Sequence, residues 1–421
     1  MNSDDRWFRW LSGEMLFGWG SSRQLTAVAR SRQISRALVV LDPALYGNPA
    51  FEAALQDLRD GGVESVIFDQ ISIEPTDRSI DAAAAACREL TWDGIIAIGG
   101  GSTLDTAKGI RLLTANQGTA VAFARPPLGE GRRATAEGAP LIAVPTTAGS
   151  GSESSEVCVM GIASPKVKTG ISDPVLRPSL AVVDPALTLT TPPGPTITAA
   201  LDVLCHALES LTSRPYPERG TLDYATVPAF MGANPLSDTF CREVLRLVAP
   251  ALRHVVQDAQ DRGPRHDLAL ASAMTAIGSA TAGVHIPHAL SYSVSAKARG
   301  FEVAGWRGEG WVPHGLAVAS TVAATLGWTA ATAPDRHVEL ARLLDPDRST
   351  EHADAGQLLS QRVTELLTAV GAHGGLQAFG YSREAIPELA ADTMAQHRLL
   401  SGSPRDVSSA DLREILGNSY D

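Results

Sequence analysis

An α/β unit built on a mostly parallel sheet, followed by an all-helical unit, is the fold class this sequence predicts. Three observations predict it. In the first half, apolar runs of strand length alternate with helix-like segments. From about Thr196 onward, alanine- and leucine-rich helical patterns take over. Between them in kind, the glycines of IIAIGGGSTLDTAK fall where a strand runs into a helix.

The elements follow in order. RALVVLD, ending at Asp42, is a strand, and residues 48–60 read as a helix. SVIFD (Ser65 to Asp69) is a second strand, followed by the alanine-rich helix SIDAAAAACREL. DGIIAIGGG is a third, and STLDTAKGIRLLT opens the next helix. APLIAVPTT and LAVVDP supply two further strands. Such alternation predicts a parallel sheet covered by helices. The later helices are ITAALDVLCHALESLT, DTFCREVLRLVAPALRHVVQDA, DLALASAMTAIGSATAG, LAVASTVAATLGW, DRHVELARLL and QLLSQRVTELLTAV. TPPGP (Thr191 to Pro195) reads as a hinge, giving an α/β domain over 1–193 and a helical domain over 194–421. Two loops interrupt the helical half, one from Arg214 to Pro235 and one, AKARGFEVAGWRGEGW, before His314. Loops of that length in a compact domain are usually functional or mobile.

Composition sets the outer bounds. A chain of 421 residues has room for two domains. Its 44% hydrophobic and 19% charged residues are the normal balance of a globular protein. The net charge of −11 argues against nucleic acid as a partner. Cys87, Cys158, Cys205 and Cys241 are scattered without CxxC spacing, so neither a zinc knuckle nor a disulfide framework is indicated. MNSDDRWFRW has no apolar core of a signal peptide, and no apolar run approaches a membrane span of roughly 18 residues. The expected location is the cytoplasm, with neither membrane nor nucleic acid as partner.

Chemistry enters at Asp202 and His206. Leu201, Leu204, Cys205 and Leu208 give their segment helical periodicity, so the i,i+4 spacing puts both polar side chains on one face. That stripe holds an oxygen and a nitrogen ligand about one turn apart, which suits a divalent metal. Taken alone, the pair reads more simply as a helix-end Asp and a core histidine. Two later segments tip the balance: AGVHIPHALSY, with His285 and His288, and VPHGLAVAS, with His314.

A second site is expected at Gly99, Gly100, Gly101 and Ser102. Consecutive glycines let the backbone approach a pyrophosphate, and the helix start offers unpaired N–H groups. A GGGS turn on its own is equally a plain strand-to-helix turn; the parallel-sheet setting favours a dinucleotide. Asp42 ends another strand, where an acid accepts from a ribose 2′-hydroxyl and repels a 2′-phosphate, favouring NAD over NADP. It also fits a turn-forming Asp before Pro43. PTTAGSGSES (Pro145 to Ser154), a third strand exit, can close over the nicotinamide half.

FGWG, GGGSTLDTAK, PTTAGSGSES, KVKTGI, DVLCHALES, PHALSY and VPHG occur in one order over nearly the whole chain. Together they resemble the iron-containing (group III) alcohol dehydrogenases. KVKTGI, DVLCHALES, GANPLSD, GVHIPHALSY and VPHGL are most like the hydroxyacid–oxoacid transhydrogenase branch. The resemblance implies a Rossmann-like dinucleotide-binding domain, an all-α domain as in dehydroquinate synthase, and a metal in the cleft between them. It implies metal ligands Asp202, His206, His288 and His314. It further implies cofactor contacts from Asp42, Gly99, Gly100, Gly101, Ser102, Asp105, Thr146, Thr147, Ser150 and Lys168. Three departures stand out: Ala200 replaces a usual glycine, Tyr292 replaces a second histidine credited with proton relay, and His285 is an extra imidazole. Tyr292 or His285 is the candidate catalytic relay, and either is also a plain packing residue.

The implied activity is NAD-linked (NADP possible), metal-dependent hydride transfer between nicotinamide and a small alcohol or aldehyde. Iron(II) is the expected metal, and zinc fits the same donors. One of Lys297, Arg299 and Arg307 in the loop before VPHG could hold an anionic group, as on succinic semialdehyde or phosphonoacetaldehyde; each reads more simply as part of a solvated surface loop. The alternatives are a transhydrogenase that keeps its cofactor bound and a lyase resembling dehydroquinate synthase. A homodimer or larger homo-oligomer is expected.

Overall fold

The computed structural model describes residues 6–163, 167–220, 224, 228, 230–297, 312–349, 354–372 and 374–421. The chain divides into two compact units. Ser12–Thr191 is one; Pro192–Asp421, with the segment ending at Leu11, is the other.

The first unit holds strands β1 (Glu14–Phe17), β2 (Arg36–Leu41), β3 (Glu64–Phe68), β4 (Gly94–Gly99), β5 (Leu141–Pro145), β6 (Val157–Ile162), β7 (Val167–Ser172) and β8 (Leu180–Val183). Its helices are α1 (Leu25–Ser31), α2 (Pro49–Asp60), α3 (Asp77–Arg88), α4 (Gly101–Ala115) and α5 (Ala120–Phe123). Among the described residues, six strands form one parallel sheet in the order β1-β8-β5-β4-β2-β3. Strand periodicity of two sorts its side chains to two faces. Ala37, Val39 and Leu41 with Ile96 and Ile98 pack on Leu25, Phe51 and Leu58 of α1 and α2. Their alternates, Leu38 and Val40 with Ile95 and Ala97, pack on Ala83, Leu104 and Ile110 of α3 and α4. Both faces are therefore buried, which is why these strands read as continuous apolar runs. The helix starts follow local chemistry: Asn48 caps α2 by accepting from Ala50 and Phe51, and Thr76 forms a capping box with Ser79.

The second unit contains α6 (Pro193–Thr212), α7 (Pro235–Gln257), α8 (Arg262–Ala282), α9 (Ile286–Lys297) and α10 (His314–Thr329). It continues with α11 (Pro334–Leu344), α12 (Ala355–Ala369), α13 (Ile386–Thr393), α14 (His397–Leu400) and α15 (Ser409–Asn418). α6 is buried almost all round and is the helix against which α7, α8 and α10 pack. Among the described residues no single helix is long and apolar enough to cross a membrane.

The predicted strands and helices are all present, and several features differ from expectation. β1 and the antiparallel hairpin β6–β7 were not anticipated. TPPGP, read as a hinge, does hold the division between the units, at Thr191 and Pro192, and also opens α6, with prolines where the first turn has no use for an N–H. The residues before Ser12 group with the helices, against the expected 1–193 boundary, because aromatic packing holds them there. Phe8 meets Tyr216 edge-on at 5.1 Å, and Trp10 stacks on Phe240 at 5.7 Å.

Candidate metal and cofactor sites

Helix periodicity builds the metal site. On α6, Asp202, His206 and Glu209 recur at i, i+4 and i+7 and share one stripe. α9 brings His288, and α10 begins at His314. Gly315 makes that last approach possible. A Cβ there would lie 1.9 Å from the Thr198 carbonyl oxygen and 3.1 Å from the Asp202 nitrogen, so α10 rests its first turn directly on the α6 backbone.

One ligand atom each from Asp202, His288 and His314 lies within 4.8 Å of the others. Asp202 Oδ1 stands 3.4 Å from His288 Nε2 and 3.7 Å from His314 Nε2. Two ligands held about 2.1 Å from one ion at a tetrahedral angle stand about 3.4 Å apart, so the spacing suits a shared cation. Asp202 Oδ1 and His288 Nε2 are both buried without a hydrogen-bond partner. Orphaned buried atoms are costly, and these two are of metal-ligating type. The donor set fits a divalent ion.

His206, the fourth expected ligand, falls outside that three-residue group. Its ring lies 4.5 Å from that of His288, centroid to centroid, and its Nδ1 is 2.9 Å from the Asp202 carbonyl oxygen. An Nδ1–H donated there leaves Nε2 with the lone pair a metal needs.

The electrostatics favour positive charge. Burial raises the Asp202 carboxyl, but the imidazoles of His206, His314 and His288 outweigh it and hold it well below the usual carboxylate range. Burial likewise depresses His288, yet Glu209 and Asp202 reverse the effect and lift it to about 9. Burial pushes His206 down. A site that draws a proton onto a buried imidazole draws a cation by the same field.

The two candidate relays, His285 and Tyr292, are both buried. His285 is wholly buried, with Nε2 3.0 Å from the Thr212 hydroxyl, and burial pushes it down to about 4. It lies outside the ligand group. Its place is in the core. Tyr292 is buried among Val284, Ala289 and Leu399, with its ring 6.2 Å from that of His314. Glu209 was missed altogether. It is wholly buried and sits 2.5 Å from His288 Nδ1. Its i+7 spacing from Asp202 was the signal that could have found it.

In the sheet unit, the expected cofactor residues gather at the carboxyl ends of β2, β4 and β5. Leu41 is in register with Ile98, and Gly99 with Pro145. Asp42 therefore stands beside the glycine turn, and the Thr146 N–H donates to the Gly99 carbonyl at 3.0 Å. The chain passes from β2 to β3 on one side and then places β4 on the other. Ligands of open parallel sheets bind at such a switch point. α4 starts at Gly101 after an uncapped Gly100, with no acidic residue in its first turn. A Cβ on Gly99 would lie 2.3 Å from Thr103 Oγ1, and one on Gly101 2.9 Å from the Ser150 side chain, so neither position has room for a side chain without a shift of its neighbour. Asp42 also caps the Pro43–Leu45 turn by accepting from the Ala44 N–H at 2.8 Å, which satisfies the plainer expectation for it. Thr147 is half-buried and Ser150 exposed beside that turn.

Other members are engaged within the protein. The Ser102 hydroxyl donates to the Ile73 carbonyl, and Lys168 pairs with Glu74 at 2.9 Å. Asp105 is buried and accepts from the Ser152 hydroxyl and, at 2.9 Å, the Val159 N–H, with Lys108 Nζ at 3.5 Å. These bonds make it a strut beneath the 146–155 loop. Lys108, fully buried, adds bonds of 2.7 Å to Ser152 and to the Val157 carbonyl. Arg299 and Arg307 lie outside the described residues, as does the side chain of Lys297.

Comparison with known proteins agrees in both halves. Residues 12–185 match the model for iron-containing alcohol dehydrogenase, and residues 228–420 match that for the Fe-containing alcohol dehydrogenase family, C-terminal. The chain is 34% identical over 405 residues to the mitochondrial hydroxyacid-oxoacid transhydrogenase of Bos taurus, covering 95% of this chain and 87% of the relative. Among solved structures it resembles a 1,3-propanediol oxidoreductase, with a TM-score of 0.85 at 25% identity over 99% of this chain and 100% of the other. It shares its fold with the sulfoacetaldehyde reductase of Bifidobacterium kashiwanohense solved with NAD+, at a TM-score of 0.80 and 22% identity over 98% and 99% of the two chains.

Proposed function

The chain belongs to the iron-containing alcohol dehydrogenase family, and from that premise we propose that it is a hydroxyacid–oxoacid transhydrogenase. The family is one of oxidoreductases acting on CH–OH groups, which sets the lyase alternative aside. The transhydrogenase reading is supported by 34% identity over 95% of the chain to a protein of that name. In it, hydride leaves the carbinol carbon of a small hydroxyacid and is delivered to an oxoacid, with the nicotinamide retained between the two half-reactions.

The observation that carries the catalytic part is the group Asp202, His288 and His314, with its two orphaned buried atoms. These residues and His206 would hold the divalent ion, iron by family description. Bound there, the ion supplies Lewis acidity toward the substrate oxygen. The protein's own part is to fix four donors from three helices before substrate arrives, so that little reorganisation is left for the reaction. The glycine turn and the free N–H groups of α4 would take the pyrophosphate, and Asp42 the adenosine ribose. Thr146, Thr147 and Ser150 would line the nicotinamide ribose, and Lys168 would contact the cofactor from β7. Tyr292, among apolar neighbours, forms a wall against His314.

A second reading, an aldehyde reductase with exchangeable cofactor, is favoured by the likeness to the 1,3-propanediol oxidoreductase. One assay separates them. Protein reloaded with Fe2+ or Zn2+ is given hydroxyacid–oxoacid pairs without added nicotinamide, and separately NADH with charged and neutral aldehydes, succinic semialdehyde and phosphonoacetaldehyde included. Turnover of acid pairs alone is the expected result. Turnover confined to NADH with aldehydes would establish the second reading, and inertness in both would remove the two together.

A further inference from the structure

We propose that Glu209 is a positioning residue that fixes the tautomer of His288 and so decides whether this site accepts a metal ion. The inference rests on the metal reading above and adds a residue to it.

The Glu209 carboxylate is wholly buried and accepts three N–H groups. His288 Nδ1 lies 2.5 Å from Oε1. The backbone N–H groups of His285 and His288 donate to Oε2, at 2.7 and 3.4 Å. Those two backbone groups flank the start of α9, where Pro287 brings no N–H of its own. A side chain of α6 thus does the work of an N-cap for α9. The same carboxylate pins the His288 ring. In the neutral ring, the form that can ligate a metal, the proton held on Nδ1 by Oε1 leaves the lone pair on Nε2, the atom that stands 3.4 Å from Asp202 Oδ1. One contact therefore starts the helix and aims the ligand.

The unequal duties of the two oxygens dictate what Glu209→Gln must do. Backbone N–H groups can only donate, so the amide oxygen has to remain at the Oε2 position. The NH2 group then replaces Oε1 and faces Nδ1. An NH2 facing Nδ1 needs an acceptor, which transfers the ring proton to Nε2. That proton points toward Asp202 Oδ1 and gives both orphaned atoms a partner. The lone pair for the metal is lost while the fold gains a hydrogen bond.

The test compares metal affinity with metal-free stability. Wild type, Glu209→Gln and Asp202→Asn are stripped with chelator, then titrated with zinc chloride against a chromophoric competitor. Thermal unfolding is recorded on each without metal. We expect the metal-free Glu209→Gln protein to melt at or above the wild-type temperature, with zinc affinity reduced roughly 10- to 100-fold, the range seen for outer-shell partners. Absence of Asp202-dependent zinc binding in the wild type overturns both this inference and the metal reading. Tight wild-type binding matched by Glu209→Gln leaves the metal reading standing and overturns this one. A parallel fall in metal-free stability and affinity makes Glu209 a structural support only, and also overturns it. Should the variant not fold, 15N-histidine-labelled wild type loaded with zinc gives the answer: a protonated Nδ1 on His288 sustains the inference and a zinc-bound Nδ1 ends it.

Discussion

Replacing Gly315 with alanine tests whether the metal site depends on helix contact rather than on ligand identity alone. The added Cβ would sit 1.9 Å from the Thr198 carbonyl oxygen, whereas real Cβ atoms essentially never come within 3.0 Å of a neighbour. The atom opposite is backbone in a buried helix and cannot swing aside. The first turn of α10 must therefore retreat by about 1.1 Å, the difference between 1.9 and 3.0 Å. His314 lies at the head of that turn and travels with it, so its 3.7 Å separation from Asp202 Oδ1 opens. Overpacking of this kind costs about 1–3 kcal/mol. At about 2–4 °C per kcal/mol for a unit this size, the metal-free protein should melt several degrees lower. Zinc affinity and turnover should fall together by roughly tenfold or more, a change of about 1.4 kcal/mol in ligation. Calorimetry on stripped protein and a zinc competition titration give both quantities. A Gly315→Ala protein with wild-type melting temperature and zinc affinity would refute the contact as described.

Four further outcomes are expected. Asp202→Asn removes the only carboxylate of the ligand group, so activity should drop by more than the ~100-fold typical of an outer-shell partner; retention of metal by the variant, measured by elemental analysis, would contradict this. Glu153 is buried, and burial raises its carboxyl to about 7 from 4.5; the folded state holds that proton more tightly, so stability is full below pH 4.5 and is lost as pH rises through 7. The loss approaches ~3 kcal/mol at about 1.4 per unit, and Glu153→Gln should flatten the melting-temperature profile between pH 5 and 8 or the assignment fails. Lys108→Met strands Asp105 in the interior and should cost about 3–5 kcal/mol, read as a lower urea midpoint; an unchanged midpoint refutes the strut. Asp42→Ser keeps an acceptor for Ala44 while removing the charge, so the NADP-to-NAD ratio of dissociation constants should shift at least tenfold toward NADP, and an unmoved ratio would clear Asp42 of that duty.

The fold was legible where a single chain segment carried its own signal. β2, β4 and β5 are buried on both faces, so each shows as an unbroken apolar run, and each ends in residues that only a strand exit uses. β1 was not legible because EMLF is short and finds its register only through β8, over 160 residues later. The β6–β7 hairpin is likewise met by a distant residue, Asp105, whose spacing from Val159 says nothing by itself. In the site, the i,i+4 pair gave away α6, but which histidine of HIPH faces it was a tertiary fact. His288 reaches the group because Glu209 and Pro287 set where α9 begins, and His285 is turned instead toward Thr212. Extending the stripe from i+4 to i+7 would have exposed Glu209. Nothing local distinguishes Gly315 from an ordinary helix-start glycine.

Stability does not account for the polar groups α6 carries into the interior. Asp202 Oδ1 and His288 Nε2 each leave a desolvation cost of roughly 1–3 kcal/mol without a compensating bond. Of the other hydroxyls of the same helix, Thr212 donates to the Leu208 carbonyl and Ser210 to that of Gly283, whereas Thr198 Oγ1 is a further buried orphan. Among the described residues, most remaining buried orphans are guanidinium nitrogens, such as those of Arg32 and Arg362, whose sibling atoms do bond. A leucine at position 202 would remove the cost, and an apolar residue at 209 would spare a buried carboxylate. Retaining both, and thinning α10 to a glycine so that a third donor can approach, makes sense only if the recovered energy comes from a ligand. A cation shared by those donors is the ligand whose charge, size and coordination preference match them.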